Sequence, residues 1–264
     1  MQAFLRMPGG LMNELTEGPR RSKLTFVASR DSTDRVEVDQ LRRVREPVSR
    51  SKSGVQGKVA DVVSGRSRHA ESQNELRAFQ ILLASGHADA WQEQPFVLEY
   101  HHDGKRHRYT PDILVAWGAD REVVEIKEDS EAGKPDNRAR FALVRDLLSE
   151  HGYPFRIWTR SEIYAEPRLA NVGLVLRYRC VDVPAVEREK IRRAFSSGAE
   201  LTLHAVSETQ GMTAPAVLRL VFDGILHIDW WEPLRLDSRV SGTPIGRQIW
   251  PVPPGCRLRE ERCH

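Results

Sequence analysis

Four ionisable side chains stand out for where they fall. Asp112 lies in the apolar stretch 109–115, YTPDILV, directly after Pro111. Glu125 and Lys127 lie in a second apolar stretch, EVVEIK, at 122–127, and Glu75 lies upstream in ESQNE, at 71–75. Side chains on a strand alternate faces with a period of two. Glu125 and Lys127 therefore share one face, and Val124 and Ile126 the other. Asp112 is expected on a strand neighbouring theirs, so two carboxylates and one ammonium converge on one edge of a sheet. Crowded carboxylates repel, and their pKa values rise unless a cation sits between them. A hard divalent ion such as Mg²⁺ accepts that kind of oxygen cluster and keeps several waters. A lysine beside it can orient or help deprotonate a water, or stabilise the charge building on a phosphate. The set suits phosphodiester hydrolysis, with Glu75 as the candidate third acid.

Each residue also has a plain structural use. Ser72-x-x-Glu75 is a capping-box pattern, in which Glu75 bonds the Ser72 backbone at a helix start; Glu71 is then an ordinary surface acid. Asp112, after a proline, can cap a turn or pair with an arginine. Glu125 and Lys127 can form a solvated strand face.

The surrounding pattern supplies elements to hold such a site. ESQNELRAFQILLASGH (71–87) is an amphipathic helix with Leu76, Phe79, Leu82 and Leu83 at helical spacing and Gly86 near its end. QPFVLEY is a strand, HHDGKRH a turn around Asp103-Gly104, RYTPDILVAW the returning strand and EVVEIK the next. NRARFALVRDLLSEHG is a helix with Phe141, Val144, Leu147 and Leu148 inward. PFRIWT is a strand, and EPRLANVGLVLRY a helix. Helix, antiparallel meander, helix, strand and helix make an α/β or α+β unit of about 110 residues, large enough for its own core.

The order of an acid on a helix, then PD, then ExK resembles the PD-(D/E)xK nuclease superfamily. With ESQNE, EQP, YTPDILV, VEIK, NRARF, FRIWTRSEI and LANVGLVLRY in that order, residues 55–180 resemble the TnsA family of transposon-end endonucleases. The resemblance implies a restriction-endonuclease-like mixed sheet flanked by helices. It implies a catalytic set of Glu75, Asp112, Glu125 and Lys127, with Asp112, Glu125 and Glu75 as Mg²⁺ ligands, Mn²⁺ substituting, and Lys127 near the attacked phosphate. Gln94, in EQP, matches a family position near the site. Many family members carry Gln where this chain has Glu125. The resemblance also implies double-stranded DNA at transposon ends as substrate. A separate DDE-type transposase then cuts and joins the other strand, and an ATPase regulator docks the C-terminal part. Two other readings are a stand-alone restriction or repair nuclease and a non-catalytic DNA-binding assembly adaptor.

Four segments are expected. They are a basic polar N-terminal extension (1–66), a nuclease domain (67–179), a small winged-helix-like adaptor (180–245) and a Pro-rich basic tail (246–264). The adaptor rests on the helix PAVEREKIRRAFSSG, two short helices joined through Gly211, and short strands after them. Its second short helix, TAPAVLRLVFDG, has Arg219 as its one basic residue, which is poor material for base readout. Arg188, Lys190, Arg192 and Arg193 lie on the preceding helix, and Trp230-Trp231 is read as core or, if exposed, as a partner surface. The net charge is only +3, yet Arg42, Arg43, Arg45, Arg50 and Lys52 cluster against Glu46, which suits a polyanion or a solvated leader. Three cysteines, Cys180, Cys256 and Cys263, argue against a disulfide framework, and Cys256, Cys263 and His264 have the wrong spacing for a zinc knuckle. No apolar run reaches the about 18 residues of a membrane span, and the first residues lack a signal-peptide core. A cytoplasmic protein is expected.

Overall fold

Asp103-Gly104 is the sharpest local signal in the chain, and the backbone follows it. Both residues have positive φ, 49° and 72°, the combination that a two-residue hairpin turn of matching twist requires. His102 then pairs with Lys105 across the turn. The computed structural model describes residues 13–17, 22–28, 38–44, 57–61, 64–85, 90–117, 120–246 and 249. Arg45, Arg50, Lys52, Gly86, Cys256, Cys263 and His264 lie outside them. The chain divides into two units, residues 1–75 with 88–161, and residues 76–87 with 162–264.

The first unit is a mixed α/β body. In chain order it contains β1 (Asn13–Glu17), β2 (Ser22–Ala28), a 3-10 turn at Val38–Gln40, β3 (Leu41–Arg42), β4 (Gly57–Asp61) and β5 (Arg66–Ala70). After the first turn of helix α1 (Gln73–Ser85) come β6 (Ala90–Glu93), β7 (Phe96–His102), β8 (Lys105–Tyr109), β9 (Ile113–Trp117) and β10 (Asp120–Lys127). Helices α2 (Asp129–Ala132) and α3 (Pro135–Glu150) lead to β11 (Phe155–Thr159). One sheet runs β1-β2-β7-β8, with β3 beside β2; a second runs β11-β10-β9-β6; β4 and β5 form a separate pair. β10 is antiparallel to β9 and parallel to β11, which it reaches through the α2–α3 crossover.

Leu24, Phe26, Leu98 and Tyr109 from the first sheet pack in one cluster with Leu114, Val123 and Phe155 from the second. Phe141, Val144, Leu147 and Leu148 of α3 complete it, as their spacing predicts. Each such side chain contributes about 1.5–3 kcal/mol through the water-exposed area it removes. Residues 22–28 are thus part of this core, through the pairing of Leu24 with Leu98 and of Phe26 with Phe96.

The stretch read as one returning strand is two. β8 ends at Tyr109 in the first sheet and β9 begins at Ile113 in the second, with Thr110, Pro111 and Asp112 between. Pro111 has no N–H to give a ladder, so the chain can leave one sheet there and enter the other.

In the second unit, α4 (Arg160–Ile163) leads to α5 (Arg168–Arg177), α6 (Ala185–Phe195), β12 (Glu200–Thr202), α7 (Leu203–Gln210), α8 (Ala214–Phe222), β13 (His227–Ile228) and β14 (Arg239–Ser241). Thr202 caps α7 by accepting from the Ala205 N–H at 3.0 Å, and Gly211, at φ 69°, ends it. The strands form an antiparallel sheet in the order β12-β14-β13. Asn171 of α5 donates to the Trp230 and Glu232 carbonyls and accepts from the Leu234 N–H, which pins that loop. Trp230 is buried, and the Arg168 guanidinium lies over the Trp231 ring, 4.8 Å from its centroid.

Candidate active site

The break at Pro111 builds the site. β9 and β10 pair in register from Asp120↔Trp117 to Val124↔Ile113. The next step in that register sets Asp112 opposite Glu125, but by then the backbone has turned away. The Asp112 side chain replaces the missing ladder partner: its Oδ2 accepts from the Ile126 N–H at 2.7 Å. The Asp112 carbonyl accepts from the Gln94 N–H at 2.9 Å, which fixes the bend from the other side. Gln94 holds φ at 42° to do this, an uncommon conformation for a residue with a side chain.

Glu125 is buried, and both its oxygens have partners. Lys127 Nζ lies 2.6 Å from Oε1, and the Tyr109 hydroxyl donates to Oε2 at 2.5 Å. Tyr109 comes from the last position of β8, just before the break, and its importance could have been read from YTPD only by knowing that the strand ends there. Glu125 and Lys127 share the face that the period of two assigns them. Val124 and Ile126, on the other face, are buried.

Burial pushes the Asp112 carboxyl well above the usual carboxylate range, and the Glu125 charge adds to this; Lys127 opposes it and Glu75 reinforces it. Burial also raises the Tyr109 phenol, with Glu125 adding to the effect, so the phenol stays protonated and acts as a donor. Burial works to lower the Lys127 ammonium, but Glu125 and Asp112 together outweigh it and its pKa stands above the ordinary value. Lys127 is thus a fixed cation rather than a base at neutral pH.

Glu75 lies in the first turn of α1 and completes a cap. Its Oε1 accepts from the Ser72 hydroxyl and its Oε2 from the Glu71 N–H, both at 2.9 Å, while Ser72 Oγ accepts from the Glu75 N–H at 3.2 Å. The reach is one residue longer than a capping box predicts, to Glu71 rather than Ser72. Burial raises the Glu75 carboxyl above its ordinary value. Glu71 is more than a surface acid. Arg43 Nη2 lies 2.6 Å from its Oε1, Gln94 Nε2 donates to the same oxygen at 3.2 Å, and Arg43 Nε donates to Gln94 Oε1 at 3.0 Å. Arg43, grouped in the sequence with a basic arm, therefore ties residues 43, 71 and 94 together behind the Asp112 bend.

Among the described residues, no three His, Cys, Asp or Glu side chains are grouped so as to hold a metal ion by themselves. The carboxylates at the site are Asp112 and Glu125, whose mutual repulsion Lys127 offsets here. The pair fits Mg²⁺, which binds through one or two carboxylates and retains water.

Residues 87–160 match a family model described as TnsA-like endonuclease N terminal. The match covers Asp112, Glu125 and Lys127 and supports the resemblance to that family over these residues. No match was found among curated proteins. Among solved structures, protein VC1899 from Vibrio cholerae is similar at 12% identity, with a TM-score of 0.25, over 38% of this chain and 27% of that one. The chain thus spans about a quarter of that protein's length. No helix among the described residues is long and apolar enough to cross a membrane.

Proposed function

We propose that this chain is a divalent-metal-dependent DNA endonuclease subunit of a heteromeric transposase, cutting one strand at transposon ends by phosphodiester hydrolysis. The observation that carries this reading is the meeting of Asp112, Glu125 and Lys127 at one break in the sheet, inside the segment that matches a TnsA-like endonuclease. Asp112 and Glu125 would hold Mg²⁺, or Mn²⁺ in its place. Glu75 would join them only by exchanging a cap bond for the metal. When bound, the ion supplies Lewis acidity toward a phosphate oxygen and makes water a stronger nucleophile. Lys127, held as a cation, stabilises negative charge on the attacked phosphate. Tyr109 keeps Glu125 in one orientation.

Residues 67–179 form, in this proposal, a restriction-endonuclease-like domain, and residues 180–245 a winged-helix-like adaptor. The order α6, β12, α7, α8, β13, β14 supports the second assignment. On that reading α8 is the recognition helix, yet Arg219 ion-pairs with Asp223 and donates to the Arg179 and Val181 carbonyls. On α6, Arg188 pairs with Asp223, Lys190 donates to the Gln210 carbonyl at 2.7 Å and Arg193 pairs with Glu189 at 2.8 Å. These cations are engaged within the chain, which favours a protein-docking role for the unit, toward an ATPase regulator. A DDE-type transposase would cut and join the other strand.

The test is cleavage of end-bearing duplex DNA by the assembled subunits with Asp112→Asn in this chain. Loss of the cut assigned to this chain, with assembly intact, supports the proposal. Full cutting by the variant ends it.

A further inference from the structure

The β7–β8 hairpin leaves the site along one face. Cross-strand pairs Leu98↔Tyr109, Tyr100↔His107 and His102↔Lys105 place Tyr109, His107 and Lys105 on the same side, in that order outward from Glu125. The inner half of this face is core, with Tyr100 and Tyr109 buried. The outer half is not: His107 stacks on Tyr100, centroids 5.2 Å apart at 16°, and His102 and Lys105 are exposed. Arg140 of α3, also exposed, acts electrostatically on Tyr100, Tyr109 and Lys127. Its guanidinium lies 4.9 Å from the Phe141 ring centroid, and Phe141 packs in one cluster with Tyr100, Tyr109 and Phe155, so Arg140 borders the hairpin's inner face. Arg140 lies over the Phe141 ring, and among the described residues neither it nor Lys105 has an ion-pair partner. The only acids between Phe96 and Tyr109 are Asp103 at the tip and Glu99 on the opposite face, where Arg106 (2.7 Å) and Arg108 (3.3 Å) hold it.

We infer that the exposed outer half of this face, with Arg140 at its border, is a track for the phosphate backbone of DNA leading toward Lys127; the duplex it would deliver rests on the nuclease reading. Two exposed cations without ion-pair partners among the described residues, with a third at the site, offer charge to a phosphate backbone. They offer no pattern for base edges, so the contact positions DNA without reading its sequence.

The experiment is binding of the full chain to a fluorescein-labelled duplex of arbitrary sequence, in EDTA, across a salt series. The variants are Lys105→Ala/Arg140→Ala on the inner face and Lys23→Ala/Arg108→Ala on the outer. Each lost phosphate contact lowers the slope of log affinity against log salt by about 0.9, so the inner variant should lose about 1.8. The outer variant should keep the wild-type slope, and a scrambled duplex should give the same result. An unchanged slope for the inner variant, an equal loss from both faces, or no DNA binding by the wild type overturns the inference; the last would leave a protein partner as the occupant. All these residues except Arg140 lie on exposed strand positions, and circular dichroism melts verify folding. Binding is read without metal, so the outcome is independent of cleavage: should Asp112→Asn still cut, the nuclease reading falls while the binding result stands.

Discussion

Replacing Tyr109 by Phe removes one oxygen and tests how the site is held. In the wild type the phenol donates at 2.5 Å to Glu125 Oε2, within a buried environment, while Lys127 holds the other oxygen. A hydrogen bond to a charged group contributes about 1.5–3 kcal/mol, and a buried carboxylate oxygen left without a donor costs on that scale. The ring remains, so its contacts with Leu98 and Phe155 persist. Tyr109→Phe should therefore fold, with urea stability lower by about 1.5–3 kcal/mol. The sharper readout is metal binding, because a partner that orients a metal ligand is typically worth about 10–100-fold in affinity. Mn²⁺ titration by calorimetry should show a loss in that range. Cleavage should recover partly at high Mg²⁺, which a general loss of folding would not produce. Wild-type Mn²⁺ affinity and a wild-type Mg²⁺ dependence in Tyr109→Phe would refute the claim that this phenol positions Glu125.

Asp112→Asn should abolish cutting yet raise metal-free stability at pH 7, because Asn can still accept from the Ile126 N–H and no longer repels Glu125; urea unfolding in EDTA measures this. The wild-type Asp112 pKa is raised on folding, so its favourable contribution is complete below its unfolded value and is lost as pH rises through the folded one. The thermal shift produced by Mg²⁺ should accordingly grow from acid to neutral pH, and shrink in Asp112→Asn. Lys127→Met should lower metal-free stability by leaving two carboxylates without their cation, and Mg²⁺ should recover more stability than it gives the wild type. Gln94 at φ 42° predicts that Gln94→Gly is more stable than Gln94→Ala by about 1 kcal/mol, since both lose the amide bonds and only Gly relieves the backbone; the reverse order in urea would refute the strain. Phe141→Ala should cost about 3–5 kcal/mol, read by the same method.

The helices were legible because their apolar spacing is regular. Phe141, Val144, Leu147 and Leu148 are buried as their pattern predicts, and Asp103-Gly104 made its hairpin for a purely local reason. The strand break was harder to see. RYTPDILVAW has the apolar run of a continuous strand, and only the absent Pro111 N–H hints that the two halves join different sheets. Local pattern carries no information on which sheet a strand enters. For the same reason the Tyr109–Glu125 bond and the Arg43–Glu71–Gln94 network were invisible: their members lie 16 to 51 residues apart. Glu75 shows the converse. Its cap was readable from Ser72-x-x-Glu75, and the structure engages both of its oxygens there.

The break at Pro111 also explains why acids can occupy apolar strands without disrupting them. A continuous ladder would satisfy the Ile126 N–H with the residue 111 carbonyl, and would take that donor from the Asp112 carboxylate. Leaving the sheet at Pro111 reverses this. The Ile126 N–H becomes available and is satisfied by the carboxylate itself, while the Asp112 carbonyl continues the β6–β9 register by accepting from the Gln94 N–H. The backbone bond that the β9–β10 ladder gives up at Ile126 is replaced by one that fixes Asp112. Glu125, still inside β10, is buried, and Tyr109 and Lys127 each hold one of its oxygens. The local irregularity and the grouping of Asp112, Glu125 and Lys127 share one cause: the sheet's own hydrogen bonding is interrupted at Pro111 and made good by a side chain.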